Sequence, residues 1–227
     1  MTDFVVHGVP GSPYLRTVLA VLEEKGASWR IAAVPFGAHR APDYSAVHPF
    51  HKVPTLDHGD FRLYETSAIL NYIERTVPEP ALIPADSRRH ARMDQLISIT
   101  LCYVLPSISA GLSFQRAIAP ILGLPTDEVA IAAAIPEAER TMAELSHLLG
   151  EEVWFTGDAI SLADISLATH LTYLASYEEG RTLLGRHPNI ARWIERMDQR
   201  PSMKATTWDA VIAASGVNTK VPVSLAA

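Results

Sequence analysis

The spacing of apolar positions changes along the chain, from short alternating runs at the start to helical periodicity in everything that follows. Phe4-Val5-Val6-His7 is a short apolar run stopped by Gly8, Pro10 and Gly11, which predicts a strand and a turn. Leu15, Val18, Leu19 and Leu22 then share one helical face; Ser12 suits the N-cap of that helix, Pro13 its first position and Lys25-Gly26 its end. Trp29 to Val34 predicts a second strand, so the opening is a βαβ unit whose helix presents free N–H groups beside Ser12. Val53-Pro54-Thr55-Leu56 and Phe61 to Tyr64 alternate around a turn at His58-Gly59-Asp60, the pattern of a β-hairpin. The hairpin leads into a helix that starts near Glu65-Thr66 and buries Ile69, Leu70 and Ile73.

Pro78 to Ser87 is rich in Pro and Ala and has no period, as a linker does. Beyond it, Arg88 to Phe114 predicts a long helix interrupted by Pro106, Thr126 to Leu149 another, and Pro188 to Gln199 an amphipathic one carrying Ile190, Trp193, Ile194 and Met197. Ser161 to Ala175 is apolar on nearly every side and belongs at the centre of a bundle. Ser161 and Asp164 at its start have capping-box spacing and Ile160 and Ile165 that of a hydrophobic staple, so this segment reads as structural. The tail after Gly216 reads as loosely held. The expected organisation is an α/β domain over residues 1–78, a linker over 79–87 and an all-helical domain over 88–227.

Composition narrows the function. The formal net charge is -6 with Lys and Arg scattered, so no basic stripe is available to track a phosphate backbone and nucleic acid is not an expected partner. Met1 is followed by Thr2-Asp3 rather than a basic and apolar leader, and no apolar stretch reads as long and uninterrupted enough to span a bilayer; the expectation is a cytoplasmic protein without a membrane partner. Cys102 is the only cysteine, which excludes an intramolecular disulfide, a CxxC pair and a cysteine-rich zinc site, so thiol chemistry must use a thiol from outside. His39, His48, His51 and His58 fit no ligand spacing, and no metal is expected. Gly8 to Gly11 lacks the following Gly-Lys-Ser or Gly-Lys-Thr of a phosphate loop.

Four segments, in this order, carry a family resemblance: Gly8-Val9-Pro10-Gly11-Ser12 leading into Val21-Leu22-Glu23-Glu24-Lys25-Gly26; Gly37-Ala38-His39-Arg40-Ala41-Pro42; His48-Pro49-Phe50 before Lys52-Val53-Pro54; and Ser161-Leu162-Ala163-Asp164. Over essentially its whole length the chain resembles the cytosolic glutathione S-transferases of the Ser type, the phi class above all. The resemblance implies a thioredoxin-like first domain with a mixed four-stranded sheet, followed by a helical bundle. It also implies glutathione as co-substrate, conjugation of an apolar electrophile in detoxification, and a homodimer in which the helix from Arg88 packs across a two-fold axis.

Carried onto this sequence, the resemblance makes Ser12 the catalytic hydroxyl, donating to the glutathione sulfur at a helix N-terminus. From the residues alone Ser12 reads as a plain helix cap, and Tyr14 is a rival donor. Val53-Pro54 resembles the family's cis-proline turn, whose backbone pairs with the tripeptide; read by itself, Pro54 is a trans residue opening an edge strand. Glu65 and Thr66 match the pair that holds the γ-glutamyl end, with Thr where most members have Ser, although a helix start accommodates both as caps. His39 and Arg40 match the basic pair for the glycyl carboxylate, and Lys52 stands where the phi class usually has Gln. Pro10, Phe36, Tyr103, Phe114 and Trp208 are the expected lining of an acceptor pocket between the domains. The competing functions are a glutathione-dependent isomerase, dehalogenase or peroxidase on the same site, and a non-catalytic interaction module on the same fold.

Overall fold

Four strands, β1 (Phe4–Gly8), β2 (Trp29–Ala33), β3 (Thr55–His58) and β4 (Phe61–Tyr64), form one mixed sheet in the order β2-β1-β3-β4. In this computed structural model, which describes residues 3–215, β1 runs parallel to β2 and antiparallel to β3, with Val6 opposite Ile31 on one side and Leu56 on the other. Helix α1 (Pro13–Glu24) makes the crossover between the parallel pair and buries Leu15, Val18, Leu19 and Leu22, the face expected from the periodicity. Helix α2 (Thr66–Thr76) packs beside it through Ile69, Leu70 and Ile73. The junction is pinned by Lys25, fully buried, whose ammonium lies 2.5 Å from the Glu74 carboxylate and donates to the carbonyls of Pro78 and Pro80. The hairpin is held by Asp57, which accepts from Arg62 at 2.7 Å and lies 2.7 Å from the His7 ring. The Arg62 hydrogen bond, outweighing partial burial, holds the Asp57 carboxyl at about 2.

The second unit, Leu82–Gln199, is helical. Helix α3 (Ser87–Ile99) is capped by Asp86, whose carboxylate accepts from the N–H groups of Arg88 and Arg89. It continues unbroken into a π-wound segment, Thr100–Ile118. The interruption expected at Pro106 is therefore corrected: Pro106 lacks an N–H, and the chain passes it in a wider winding that ends with Ala119 N–H donating to the Phe114 carbonyl. One consequence overturns a second expectation, because Ser87–Ile118 as a single helix is long and apolar enough to cross a membrane by length and composition. Its apolar face has partners within the unit. Val104, Ile108 and Leu112 are buried, and the segment packs on helices α4 (Glu128–Leu149) and α5 (Leu162–Leu171). Contact with α4 is close enough that a Cβ at Gly111 would fall 2.5 Å from that of Ala134.

Every residue of α5 is buried, as its uniform apolarity requires. It is shorter than expected, ending at Leu171. The chain then turns at Leu174–Ser176 and enters α6 (Glu178–Arg186), a helix the periodicity did not announce. The turn is so close that a Cβ at Gly180 would sit 2.0 Å from the Leu174 carbonyl oxygen. The amphipathic α7 (Pro188–Asp198) closes the unit with Ile190, Trp193, Ile194 and Met197 inward. At the centre lies Asp164. Its carboxylate accepts from the N–H groups of Phe155 and Ser161, the Ser161 hydroxyl and the Trp193 indole, all at 2.8–3.0 Å.

From Arg200 the chain rejoins the first unit, which corrects the assignment of residues 88–227 to one domain. Helices α8 (Pro201–Ala205) and α9 (Trp208–Ser215) pack on α1 and β2 respectively. The short apolar stretches of this return give no period from which to assign it to either unit. Two ties fix it: Arg200 makes a bidentate pair with Glu24, and the Ser202 hydroxyl donates to the same carboxylate. The tail expected to be loosely held, after Gly216, lies outside the described residues.

Two outcomes follow for stability. Asp164→Ala strands buried donors on three residues and is expected to cost about 3 kcal/mol or more in denaturant unfolding. His170, fully buried in α5, has its pKa pushed by burial down to about 4, against a hydrogen bond from Nδ1 to the Ser166 carbonyl. Below the ordinary histidine value of about 6.5 the unfolded chain takes up a proton that the folded chain refuses. Stability is therefore expected to be full above that value and to fall by up to about 3 kcal/mol toward pH 4, a slope that His170→Gln flattens in a pH series of unfolding curves.

Candidate active site

The turn from β1 into α1 is dictated by Gly11, which has φ of +91° and whose Cα lies against the Trp208 ring; a Cβ there would be 3.0 Å from the indole. Only glycine meets both conditions. The turn delivers Ser12 to the N-cap of α1, half-buried, with its Oγ accepting from the Leu15 N–H at 3.4 Å. That long capping bond uses an oxygen lone pair and leaves the hydroxyl hydrogen available to a ligand. Cap and hydrogen-bond donor are thus compatible roles for one side chain. Tyr14 lies two residues further on, within the first turn of α1 itself.

Val53-Pro54 is a cis peptide, so the trans edge-strand alternative is set aside. The residues leading to it pack on a small apolar cluster of Val9, Val34 and Tyr44, joined by Phe36, Ala38, Val47 and Val53. This cluster supports two 3₁₀ turns, Ala38–Arg40 and Pro42–Ala46, that sequence patterning did not resolve. The first of them carries His39 and Arg40.

Glu65 precedes α2 with a positive φ of +71° and ψ of 112°, rare for a side chain of its kind. It makes no side-chain cap bond and its carboxylate is exposed, so the plain capping explanation fails for this residue. Thr66 follows as the first helical residue, half-buried. Glu65 and Thr66 thus place a strained backbone, a free-standing carboxylate and a hydroxyl side by side at the start of α2.

On the other flank, Arg40 and Lys52 are exposed cations without a carboxylate partner among the described residues. Both stand close enough to His39 to act on its titration, and Lys52 acts on that of His48 as well. Burial lowers the His39 pKa, with Arg40, Lys52 and His51 adding to the shift; burial likewise lowers His48, against the pull of Glu65. His51, weighed in the sequence only as a metal ligand, has φ of +53° and joins this group through hydrogen bonds to the His39 carbonyl and the Ser45 hydroxyl. A non-glycine residue in the left-handed region carries no signature in the sequence itself. The lining expected for an acceptor divides between the units: Pro10, Phe36 and Trp208 belong to the first, while Tyr103, half-exposed, and Phe114 lie on the π-wound segment of the second.

The first unit therefore places, along one chain, a hydroxyl at a helix N-terminus, a cis-proline turn, a strained Glu-Thr helix start and a cationic loop. Residues 6–81 match the family model of the glutathione S-transferase N-terminal domain, and residues 128–196 that of the glutathione S-transferase C-terminal domain. The sequence is 30% identical over 199 residues to glutathione S-transferase F14 of Arabidopsis thaliana, covering 83% of this chain and 76% of that one. It is 30% identical over 205 residues to a probable glutathione S-transferase, GSTF2, of Oryza sativa subsp. japonica, covering 89% and 94%. The solved structure of glutathione S-transferase III in apo form matches with a TM-score of 0.80 at 28% identity, covering 95% of this chain and 98% of that one. The chain belongs to the glutathione S-transferase family. Both of these plant relatives bear F-class names, in line with the phi likeness of its motifs.

Because Glu65 is strained where it stands, Glu65→Gly is expected to leave the fold as stable as the parent or up to about 1 kcal/mol more so, as read by thermal unfolding. A loss of more than that amount would mean that the carboxylate supports the fold.

Proposed function

We propose that the protein is a glutathione S-transferase that holds glutathione as a thiolate on its first unit and adds it to an apolar electrophile. The observation that carries this reading is Ser12, a hydroxyl at the N-terminus of α1 whose capping bond does not consume its hydrogen. A thiol with pKa near about 8.5 is mostly protonated at neutral pH, and lowering it by about two units requires roughly 2.7 kcal/mol of preferential stabilisation of the thiolate. A charge-assisted hydrogen bond supplies about 1.5 to 3 kcal/mol, and the helix terminus adds a favourable dipole. The two together meet the requirement.

The remaining residues orient the tripeptide. The Val53 backbone ahead of Pro54 is suited to pair with its main chain; the Glu65 carboxylate takes the ammonium and Thr66 the carboxylate of the γ-glutamyl end; His39, Arg40 and Lys52 take the glycyl carboxylate. Pro10, Phe36 and Trp208 are the apolar groups of the first unit assigned to the acceptor side. The reaction needs no metal on this reading, which also takes the working form to be a cytoplasmic homodimer acting in detoxification.

Retention on immobilised glutathione together with turnover of a generic aryl halide is the direct test. Ser12→Ala is expected to leave glutathione binding within a few fold, to cut turnover at neutral pH by about tenfold or more, and to raise the apparent pKa of the bound thiol. An unaltered pH–rate profile removes Ser12 from the mechanism. Glu65→Gly is expected to weaken glutathione binding at least tenfold in calorimetry, despite its intact fold.

A further inference from the structure

We propose that Trp208 is a positioning residue for thiol activation: its indole, packed on Gly11, holds the turn before α1 in the form that aims the Ser12 hydroxyl at the glutathione sulfur. The inference rests on the glutathione reading and gives Trp208 a part in ionising the thiol, beyond the acceptor side to which it is assigned above.

The turn has two forms to choose from. The Ser12 N–H donates to the Val9 carbonyl at 3.0 Å, so residues 9–12 make a hydrogen-bonded β-turn with Pro10 and Gly11 at its centre. Proline fixes a negative φ at the first central position, and Gly11 has φ of +91° at the second, which makes the turn type II. A Pro-Gly pair is also compatible with a type I turn, in which φ at the glycine is about −90°. The two forms differ by inversion of the peptide between Pro10 and Gly11, immediately ahead of Ser12. Glycine permits the observed form without enforcing it, because it populates either sign of φ with similar ease. Enforcement must come from packing.

The Trp208 ring supplies it. Three atoms of its six-membered ring lie 3.0–3.3 Å from where a Gly11 Cβ would stand, so the ring covers one face of that residue and opposes the swing of the preceding peptide. The ring itself is placed by the returning segment and not by the turn. Thr207 Oγ1 accepts from the Ala210 N–H at 3.3 Å at the start of α9, Val211 is buried one turn further on, and α9 packs on α8 and β2. Arg16, in the first turn of α1, donates to the Met203 carbonyl of α8 at 2.9 Å, which ties the helix that carries Ser12 to the same segment. The Trp208 Nε1 is buried and makes no hydrogen bond among the described residues, so an apolar replacement removes shape alone. A hydrogen bond from Ser12 to a sulfur weakens steeply with misalignment. A turn free to exchange between its forms divides the hydroxyl between two placements, and the bound thiol then ionises less readily.

The bound thiol is read on the full chain with glutathione alone, from the ultraviolet absorbance of the thiolate against pH, so that no acceptor enters. Trp208→Leu is expected to raise the pKa of that thiol by about half a unit or more, a loss of about threefold or more in thiolate below the pKa. Affinity for S-methylglutathione, which has no thiol proton, is expected to stay within about threefold of the parent's. Trp208→Phe, which keeps an aromatic face toward Gly11, is expected to shift the pKa by about half as much, and it decides alone if Trp208→Leu does not fold. In a Ser12→Ala background either shift is expected to fall below half its size, because the ring acts through the hydroxyl. The ionisable residues along these elements, Tyr14 and Arg16 on α1, Arg30 on β2, Lys204 on α8 and Asp209 on α9, are the same in every variant, so a shift reports the ring. An unmoved thiol pKa, with or without a loss of S-methylglutathione affinity, or a shift of full size in the absence of Ser12, overturns the proposal and leaves the glutathione reading standing. A parent that ionises glutathione no better than water does overturns both.

Discussion

Helix α1 is held at its two ends by the stretch of chain that returns after the helical unit, and the geometry of the candidate site depends on that grip. At the C-terminal end the Glu24 carboxylate is clasped by Arg200 and Ser202; burial alone would raise its pKa, and these partners lower it instead. At the N-terminal end the Trp208 ring lies against the Gly11 turn that brings Ser12 to the cap of the helix. A helix N-terminus stabilises an anion only if the donor beside it is fixed, and here the donor is fixed from outside the βαβ unit that bears it. The cationic loop is arranged differently, resting on the Val9, Val34 and Tyr44 cluster and on its own hydrogen bonds.

Much of this was legible in the residues. The α1 face, the hairpin, the buried α5 and the Ser161-Asp164 start are all patterns of local period and spacing, and such patterns survive into the fold because burial enforces them. Pro106 misled because proline was weighed as a breaker, whereas a wider winding removes the need for its N–H. The membership of α8 and α9 was invisible because it is decided by the long-range pair between Glu24 and Arg200, and no local rhythm encodes a partner that far along the chain.

The candidate site was readable by residue and not by conformation. Ser12, Glu65 and Thr66 were recognisable from motif order, yet what distinguishes Glu65 from an ordinary cap is its positive φ, a backbone property no side chain announces. The same holds for His51. Both residues stand in conformations that glycine would occupy more comfortably, and both belong to the segments assigned to the two ends of the tripeptide. Stability alone would favour glycine at each place.

The discontinuity of the first unit bears on how the protein is made. Its sheet and first two helices leave the ribosome early, but Arg200, Ser202 and Trp208 are translated only after the whole of the helical unit. Until then α1 has neither of its outer clasps. The helical unit, by contrast, is one uninterrupted stretch, Leu82–Gln199. Synthesis order and assembly order are thereby uncoupled, and the half of the molecule that emerges first is the half completed last.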